Sequence, residues 1–161
     1  MKQTRTEPAS DPFAALKLMV DVASGSVAGF ISPPEINGVP AQFDPVPETV
    51  SDQVALTVES SGSTGRPKRI ELSLDALLAS ADASAARLGG HGQWLLTLPP
   101  NYIAGANVLF RSVIADTQPV IMNSRVPFSA EGFRNSANLM QHQNRYTSLV
   151  PTQLDRFAAA D

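Results

Sequence analysis

The sequence contains no cysteine, so it offers neither a disulfide framework nor a thiolate for metal binding or nucleophilic catalysis. It also lacks an apolar run near the ~18 residues that a membrane-spanning helix requires. Lys17 and Asp21 interrupt the early segment that most resembles the core of a signal peptide. From these absences we expect a soluble, cytoplasmic protein without a membrane span.

Charge is also scarce, since 17% of the residues are charged and the net charge is −3. This balance provides no basic surface for nucleic acid, so a nucleic-acid partner is not expected. The two histidines, His91 and His142, lack the spacing of metal ligands and are expected at the surface, so no metal site is predicted. The chain has 161 residues, of which 43% are hydrophobic, and this suffices for a globular core.

One stretch, residues 60–68, is rich in hydroxyl groups and glycine and ends in a lysine. It lies between two short apolar segments, residues 54–58 and 69–72, which have the character of strands. Glycine lacks a Cβ and accepts positive φ, so backbone amides in such a loop can approach a polyphosphate closely. Hydroxyl and ammonium groups add further donors. We therefore predict a phosphate-binding loop that connects two strands, formed by Ser60, Ser61, Gly62, Ser63, Thr64, Gly65 and Lys68.

An ordinary P-loop is excluded, because that motif places lysine directly after its last glycine and leads into a helix. Here Arg66 and Pro67 separate Gly65 from Lys68, and Arg69 occupies the position of the hydroxyl residue that holds Mg²⁺. The alternative to a phosphate-binding loop is a hairpin turn without a ligand, because clusters of glycine, serine and threonine usually mark exposed turns. Phosphate binding is favoured over that turn because Pro67 and Lys68 follow at fixed spacing between two apolar segments.

The remaining sequence alternates helical and strand patterns, which predicts an α/β fold with a mostly parallel sheet flanked by helices. Residues 1–11 are predicted to form a loose N-terminus, and the proline-rich residues 28–52 an irregular connection with short edge strands at 29–31 and 41–43. Helices are predicted over residues 12–24, 74–88, 106–115, 129–141 and from 151 onward, and further strands over 94–98, 119–122 and 146–150.

The loop also carries a family resemblance, because residues 60–68 match the signature T-S-G-[ST]-T-G-x-P-K of the adenylate-forming superfamily of acyl- and aryl-CoA synthetases. Four later segments resemble one branch, the o-succinylbenzoate:CoA ligases of bacterial menaquinone synthesis, in their actinobacterial type. They are residues 92–96, 99–105, 108–115 and 145–150. The likeness covers about residues 50–157.

The resemblance implies a reaction in two steps, in which a carboxylate and ATP with Mg²⁺ give an acyl-adenylate and pyrophosphate, and coenzyme A then displaces AMP. It implies that residues 12–161 form an incomplete N-terminal AMP-binding domain whose loop holds the phosphates. Because the family's later motifs are absent from these 161 residues, we expect no catalytic residue here and no adenylation by this chain alone. Another acyl- or aryl-CoA synthetase and a non-catalytic nucleotide-binding module remain as alternatives.

The resemblance also marks residues where this sequence departs from the family. Tyr102 occupies the position of a usual histidine, and with Gly105 it is assigned to the acyl-substrate pocket. Asn101, Tyr102 and Gly105 are expected near the phosphate loop if the preceding strands are neighbours. Arg66 and Arg69 are expected in solvent, with phosphate contact as the alternative. A structural role is favoured for Arg111, which would pair with a buried acid or extend to solvent, and contact with the succinyl carboxylate is the alternative.

Overall fold

The computed structural model describes residues 1–34, 43–60, 68–123 and 126–159. From residue 74 onward helices and strands alternate, as the sequence predicts for an α/β fold, whereas four strands lie between the first two helices. The strands are β1 (Lys2–Pro8), β2 (Ala28–Ser32), β3 (Thr49–Val50), β4 (Val54–Ser60), β5 (Lys68–Ser73), β6 (Gln93–Leu96), β7 (Val120–Ile121) and β8 (Arg145–Thr147). The helices are α1 (Pro12–Ala23), α2 (Leu74–Leu88), α3 (Ile103–Ile114), α4 (Ala130–Ala137) and α5 (Pro151–Ala158).

The first sheet has five strands in the order β3-β1-β2-β4-β5. Strand β2 is parallel to both β1 and β4, whereas β3 and β5 are antiparallel to their neighbours. This sheet is therefore mixed, because the two outer pairs run antiparallel. The second sheet, β7-β6-β8, is wholly parallel, in agreement with the sequence-based expectation.

The prediction of a loose N-terminus over residues 1–11 is wrong, because β1 lies inside the first sheet between β3 and β2. Most of its residues are polar, and half-buried positions roughly alternate with exposed ones, so the segment shows no apolar pattern in the sequence. Its backbone pairs with two strands, and Arg5 forms ion pairs with Asp21 of α1 and, at 3.4 Å, with Glu7. The strand is thus held by backbone pairing and charge rather than by a hydrophobic face.

The assignment of residues 29–31 to an edge strand is also wrong, because β2 pairs on both sides and four of its five residues are buried. Gly29 permits this position, since a Cβ there would stand 2.8 Å from Cγ2 of Val22 on α1. Of the other predicted edge strand, residues 41 and 42 lie outside the described residues, and Phe43 is not in a strand.

Three helices connect the two sheets through one continuous core. Helix α1 packs on β1, β2 and β4, and α3 packs on β6 as well as on α1 and α2. The cluster joins Leu56 of the first sheet to Trp94 of the second through buried residues of the helices. Sequence signals set the helix starts: Asp11 accepts bonds from two amides of α1, and Ser73 caps α2. No helix in the described part of the chain is long and apolar enough to cross a bilayer.

Candidate phosphate-binding site

The predicted loop connects two strands, because β4 and β5 form an antiparallel hairpin around it. Ser60 and Lys68 are the last cross-strand pair before the loop, and the Ser60 hydroxyl donates a hydrogen bond to the Lys68 carbonyl at 3.4 Å. The loop residues Ser61, Gly62, Ser63, Thr64 and Gly65, with Arg66 and Pro67, lie outside the described residues. The structure therefore places the two ends of the predicted site side by side.

The hairpin combines a buried strand with an exposed cation at the end where the loop begins, which we call the mouth of the hairpin. Six of the seven residues of β4 are buried, so the strand is fixed in the core, whereas Lys68 is exposed. Among the described residues, no carboxylate lies within ion-pairing distance of the Lys68 ammonium. A lysine without an acid partner beside a glycine-rich loop can bind an anion such as phosphate.

Arg69, the residue after Lys68, lies against backbone carbonyl groups rather than in open solvent. Its side chain is only 25% exposed, so the prediction of solvent exposure is wrong. Its guanidinium donates hydrogen bonds to the carbonyl oxygens of Asp44 and Pro45, the latter at 2.9 Å. Its Nε lies 3.6 Å from Oε1 of Glu59, which is an ion-pair distance rather than a hydrogen bond.

Tyr102 and Gly105 lie at the start of α3, after the carboxyl end of β6. Tyr102 is 50% exposed, whereas Gly105 is buried, and a Cβ on Gly105 would stand 2.3 Å from the carbonyl oxygen of Pro99. The neighbouring Asn101 is buried, and its Oδ1 has no hydrogen-bond partner among the described residues. The condition for placing these residues beside the phosphate loop is not met, because β6 and β4 belong to different sheets.

A cavity of about 190 Å³ opens at the carboxyl end of β6 and β7. Its lining is mainly apolar and includes Leu96, Pro99, Met122 and Phe128, but neither Tyr102 nor Gly105. Gln153 of α5 also lines it and donates a hydrogen bond to the Thr97 carbonyl at 3.1 Å. Sequence reasoning missed this residue, although the rule that ligands gather at the carboxyl ends of parallel strands points to the place.

Arg111 lies between α2 and β6, where its guanidinium carbon is 5.2 Å from the centroid of the Trp94 ring. Nη2 donates a hydrogen bond to the Ser80 hydroxyl at 3.4 Å, while the buried Nε has no hydrogen-bond partner within the described ranges. Burial lowers the pKa of Arg111 from its ordinary value. No acid in the described part of the chain pairs with it, so the expected buried carboxylate is not found there.

The two histidines are exposed, as the sequence predicts. His142 Nδ1 accepts a hydrogen bond from the Asn144 amide at 3.0 Å, so its ring orders the turn before β8. Within residues 1–34, 43–60, 68–123 and 126–159, no group of three or more acidic or histidine side chains is placed to hold a metal ion.

Solved structures with a similar fold include two of o-succinylbenzoate coenzyme A synthetase (MenE) from Bacillus subtilis. The complex with the acyl-adenylate intermediate OSB-AMP has a TM-score of 0.58 and 24% identity, and the match covers 91% of this chain and 42% of that one. The complex with ATP and magnesium ion has a TM-score of 0.57 and 23% identity, with coverage of 91% and 34%. At this identity the likeness establishes the fold.

Curated relatives extend the comparison to sequence. The probable 2-succinylbenzoate–CoA ligase of Mycobacterium tuberculosis is 45% identical over 129 residues, which cover 76% of this chain and 34% of that protein. The 2-succinylbenzoate–CoA ligase of Bacillus licheniformis is 38% identical over 124 residues, covering 74% and 25%. The chain therefore spans about a third or less of the length of these relatives.

The sequence also matches a protein-family description, "AMP-binding enzyme", over residues 3–161. This match includes β1 and continues through both sheets, so it covers the whole fold and not only the glycine-rich loop. The chain belongs to the AMP-binding enzyme family.

Proposed function

We propose that this chain supplies the ATP phosphate-binding part of a carboxylate–CoA ligase, and that the carboxylate is o-succinylbenzoate. The observation that carries the proposal is the 45% identity to a probable mycobacterial 2-succinylbenzoate–CoA ligase. The hairpin supports it, because Ser60 and Lys68 meet at the mouth of the loop that bears the signature. The activity belongs to the proposal, since the chain spans about a third of that relative.

The proposed reaction joins a carboxylate to coenzyme A in two steps. A carboxylate oxygen attacks the α-phosphorus of ATP, and the bond to the pyrophosphate oxygen breaks to leave an acyl-adenylate and pyrophosphate. The sulfur of coenzyme A then attacks the acyl carbon, AMP leaves with the bonding electron pair, and the thiol proton is released. Such transfers depend on positioning and on neutralising oxygen charge, which a loop of amides and hydroxyls with one lysine can supply.

Each group in the hairpin has a proposed task in this reaction. The ammonium of Lys68 binds the β- and γ-phosphates, and the hydroxyls of Ser61, Ser63 and Thr64 donate to their oxygens. Ser60, whose hydroxyl donates to the Lys68 carbonyl, belongs to the site as the residue that begins the loop. Gly62 and Gly65 let the backbone amides approach. Magnesium enters bound to ATP and neutralises phosphate charge, which is compatible with the lack of an acidic cluster among the described residues.

For the acyl group, the proposal keeps Tyr102 and Gly105 as pocket residues at the start of α3. Tyr102 is half-exposed, so it can stack on a substrate or donate a hydrogen bond to it, whereas Gly105 packs closely against Pro99. Arg111 is a further candidate, because a half-buried guanidinium whose Nε is unpartnered suits a carboxylate such as that of a succinyl group. A cytoplasmic location stays a prediction from the sequence.

Titration of the purified chain with MgATP tests the phosphate assignment. Because a hydrogen bond to a charged group contributes about 1.5–3 kcal/mol, Lys68→Ala should weaken binding by about tenfold to a hundredfold. Lys17→Ala is the matched control, since it removes the same charge from an exposed position on α1. Equal affinities of wild type and Lys68→Ala, or no binding by the wild type, would contradict the assignment and favour a plain turn.

Pyrophosphate exchange separates the ligase from the alternatives. We expect none from the 161-residue chain alone, because the family's ribose-binding, hinge and catalytic lysine motifs are absent from its sequence. Exchange that depends on o-succinylbenzoate would overturn that expectation. The gene sequence beyond residue 161 discriminates further: those motifs would support the ligase, whereas an unrelated continuation would favour a non-catalytic nucleotide-binding module. A panel of carboxylates then separates o-succinylbenzoate from the substrates of other acyl-CoA synthetases.

A further inference from the structure

A second group of contacts lies at the mouth of the β4–β5 hairpin, next to the Ser60–Lys68 pair. Glu59 and Arg69 are the adjacent cross-strand pair, so they lie one step further from the loop. Because successive residues of a strand face opposite sides of the sheet, Glu59 and Arg69 lie on one face, and Ser60 and Lys68 on the other. The two pairs are neighbours along the same two strands, but their side chains lie on opposite faces of the sheet.

Arg69 connects the hairpin to a segment distant in sequence. Two guanidinium nitrogens donate to the carbonyl oxygens of Asp44 and Pro45, and the guanidinium carbon lies 5.5 Å from the centroid of the Phe30 ring. The ring centroid of Phe43 lies 5.6 Å from that of Phe30. We call Arg69, Glu59, Phe30 and the two carbonyl groups the hairpin anchor.

The hairpin anchor is more than an exposed ion pair. Glu59 is only 9% exposed, and among the described residues Arg69 is its sole cationic partner. A planar guanidinium can bridge two carbonyls while it faces a carboxylate and an aromatic ring, a geometry that an ammonium group cannot reproduce. Both terminal nitrogens of Arg69 donate to carbonyl oxygens on this face, which is opposite to the face of Ser60 and Lys68.

We propose that Arg69 is a positioning residue for Lys68, and that the hairpin anchor keeps the mouth of the phosphate loop closed. Strand β4 is buried and also pairs with β2, but β5 is an outer strand that pairs only with β4 among the described strands, so the end of the hairpin can open locally on the β5 side unless side chains fix it. With the mouth closed, Ser60 and Lys68 keep a fixed separation before ligand arrives, which lowers the ordering cost of binding. This inference rests on the proposed function, because it assumes that the loop binds the phosphates of ATP.

Hydrogen exchange of the ligand-free chain measures how often the mouth of the hairpin opens. In Arg69→Met, which keeps the aliphatic stem, the amides of residues 59–60 and 68–70 should exchange about tenfold faster than in wild type. The amides of β1 and β2, which report on global unfolding, should change less than those at the mouth. Arg87→Met is the matched control, because Arg87 is exposed in the last turn of α2. Unchanged exchange at the mouth in Arg69→Met would overturn the proposal.

Arg69→Met leaves Glu59 buried without a cation, so a loss of stability could accelerate exchange everywhere. The double variant Glu59→Gln/Arg69→Met removes the stranded charge. Its exchange should remain fast at the mouth while its thermal unfolding returns toward that of wild type. If the double variant instead restores slow exchange at the mouth, the stranded carboxylate caused the effect and Arg69 has no positioning role.

MgATP titration distinguishes positioning from direct phosphate contact. Arg69→Met should bind MgATP about fivefold to tenfold more weakly, and Arg69→Lys should recover little of this loss, because its ammonium cannot bridge the two carbonyls. Full recovery by Arg69→Lys would show that only charge matters, and would overturn the proposal. Wild-type affinity in Arg69→Met with fast exchange at the mouth would overturn it as well.

The two arms also separate this proposal from the proposed function. If the wild-type chain binds no MgATP, the phosphate assignment fails, and the role of Arg69 in ATP binding fails with it. If wild type binds MgATP, Lys68→Ala weakens binding, and Arg69→Met changes neither exchange nor affinity, the proposed function stands and the inference about Arg69 alone is wrong.

Discussion

The region of this chain up to the end of α3 and the region after it differ in how deeply they are buried. In the first region, six of seven residues of β4, four of five of β2 and three of four of β6 are buried, although β1 and β5 contain no buried residue. In the second region, β7 and β8 contain no buried residue. The helices repeat this difference, since α1 and α3 carry several buried residues whereas α4 has one and α5 none.

This difference indicates where the stability of the chain lies. Buried apolar surface contributes roughly 25 cal/mol per Å², so the first sheet, β6 and helices α1–α3 supply most of the hydrophobic free energy. The elements after β7 rely on individual contacts, such as the edge-on pair of Phe133 and Phe157, with ring centroids 5.3 Å apart. We expect changes in the first region to affect global unfolding, and changes in the second to affect local opening.

The largest expected effect comes from deleting the N-terminal strand. Removal of residues 1–8 takes β1 from between β3 and β2 and leaves an edge of β2 unpaired. We expect a loss of more than about 5 kcal/mol, enough to abolish the cooperative unfolding transition of a typical domain. Circular dichroism with urea titration measures it.

The matched control for that deletion is removal of residues 151–161, which include α5. Because α5 has no buried residue, we expect a loss of about 1–2 kcal/mol from its hydrogen bonds and aromatic contact. If the two truncations destabilise the chain equally, the proposed difference between the two regions is wrong.

Helices α3 and α4 both have glycine as their third residue, and these two glycines provide the next comparison. A Cβ on Gly105 would meet the backbone of Pro99 at 2.3 Å, whereas a Cβ on Gly132 would meet only side-chain atoms, the nearest at 3.0 Å. Gly105→Ala should therefore cost about 3 kcal/mol by overpacking, and Gly132→Ala should be near neutral because alanine favours helix. Urea unfolding of both variants checks this, and a neutral Gly105→Ala would show that α3 can shift.

Sequence patterns predicted the elements whose signals are local. Helix α2 follows Ser73, carries an apolar stripe and ends at Gly89 in the left-handed conformation, so its bounds were predictable. The apolar segment of β4 likewise predicted a buried strand. Strand β1 was not predictable in this way, because its alternation is polar and its stability comes from pairing with strands distant in sequence.

The candidate site was likewise predictable only in part. The signature of residues 60–68 and the apolar segments around it were enough to predict a loop between two strands, and the structure pairs these strands as an antiparallel hairpin with Lys68 at its mouth. The environment of Arg69 was not predictable, since its carbonyl partners, Asp44 and Pro45, lie 24 or more residues away in the chain. A long side chain takes its environment from whatever tertiary structure passes nearby, and no local pattern records that.

A tyrosine hydroxyl gives a smaller expected effect. Tyr146 of β8 directs its hydroxyl at the carbonyl oxygens of Leu88 and Gly90, at 3.0 and 3.1 Å, and so connects the second sheet to the end of α2. Tyr146→Phe should cost about 1 kcal/mol in chemical unfolding. Tyr102→Phe is the control, since Tyr102 is 50% exposed and should change stability by less than about 0.5 kcal/mol. Equal losses would mean that the Tyr146 bonds contribute nothing beyond those to water.

The smallest expected effect concerns the cap of α4. Ser129 accepts a hydrogen bond from the Gly132 amide at 3.1 Å, and Asp11 accepts two such bonds at the start of α1. Asp11→Ala should lower the free energy of unfolding by about 1 kcal/mol, because α1 is part of the shared core. Ser129→Ala should lower it by about 0.5 kcal/mol or less, because an exposed helix opens before the core unfolds, and should instead accelerate hydrogen exchange within α4. If Ser129→Ala lowers global stability as much as Asp11→Ala does, α4 unfolds together with the core, and the second region is as cooperative as the first.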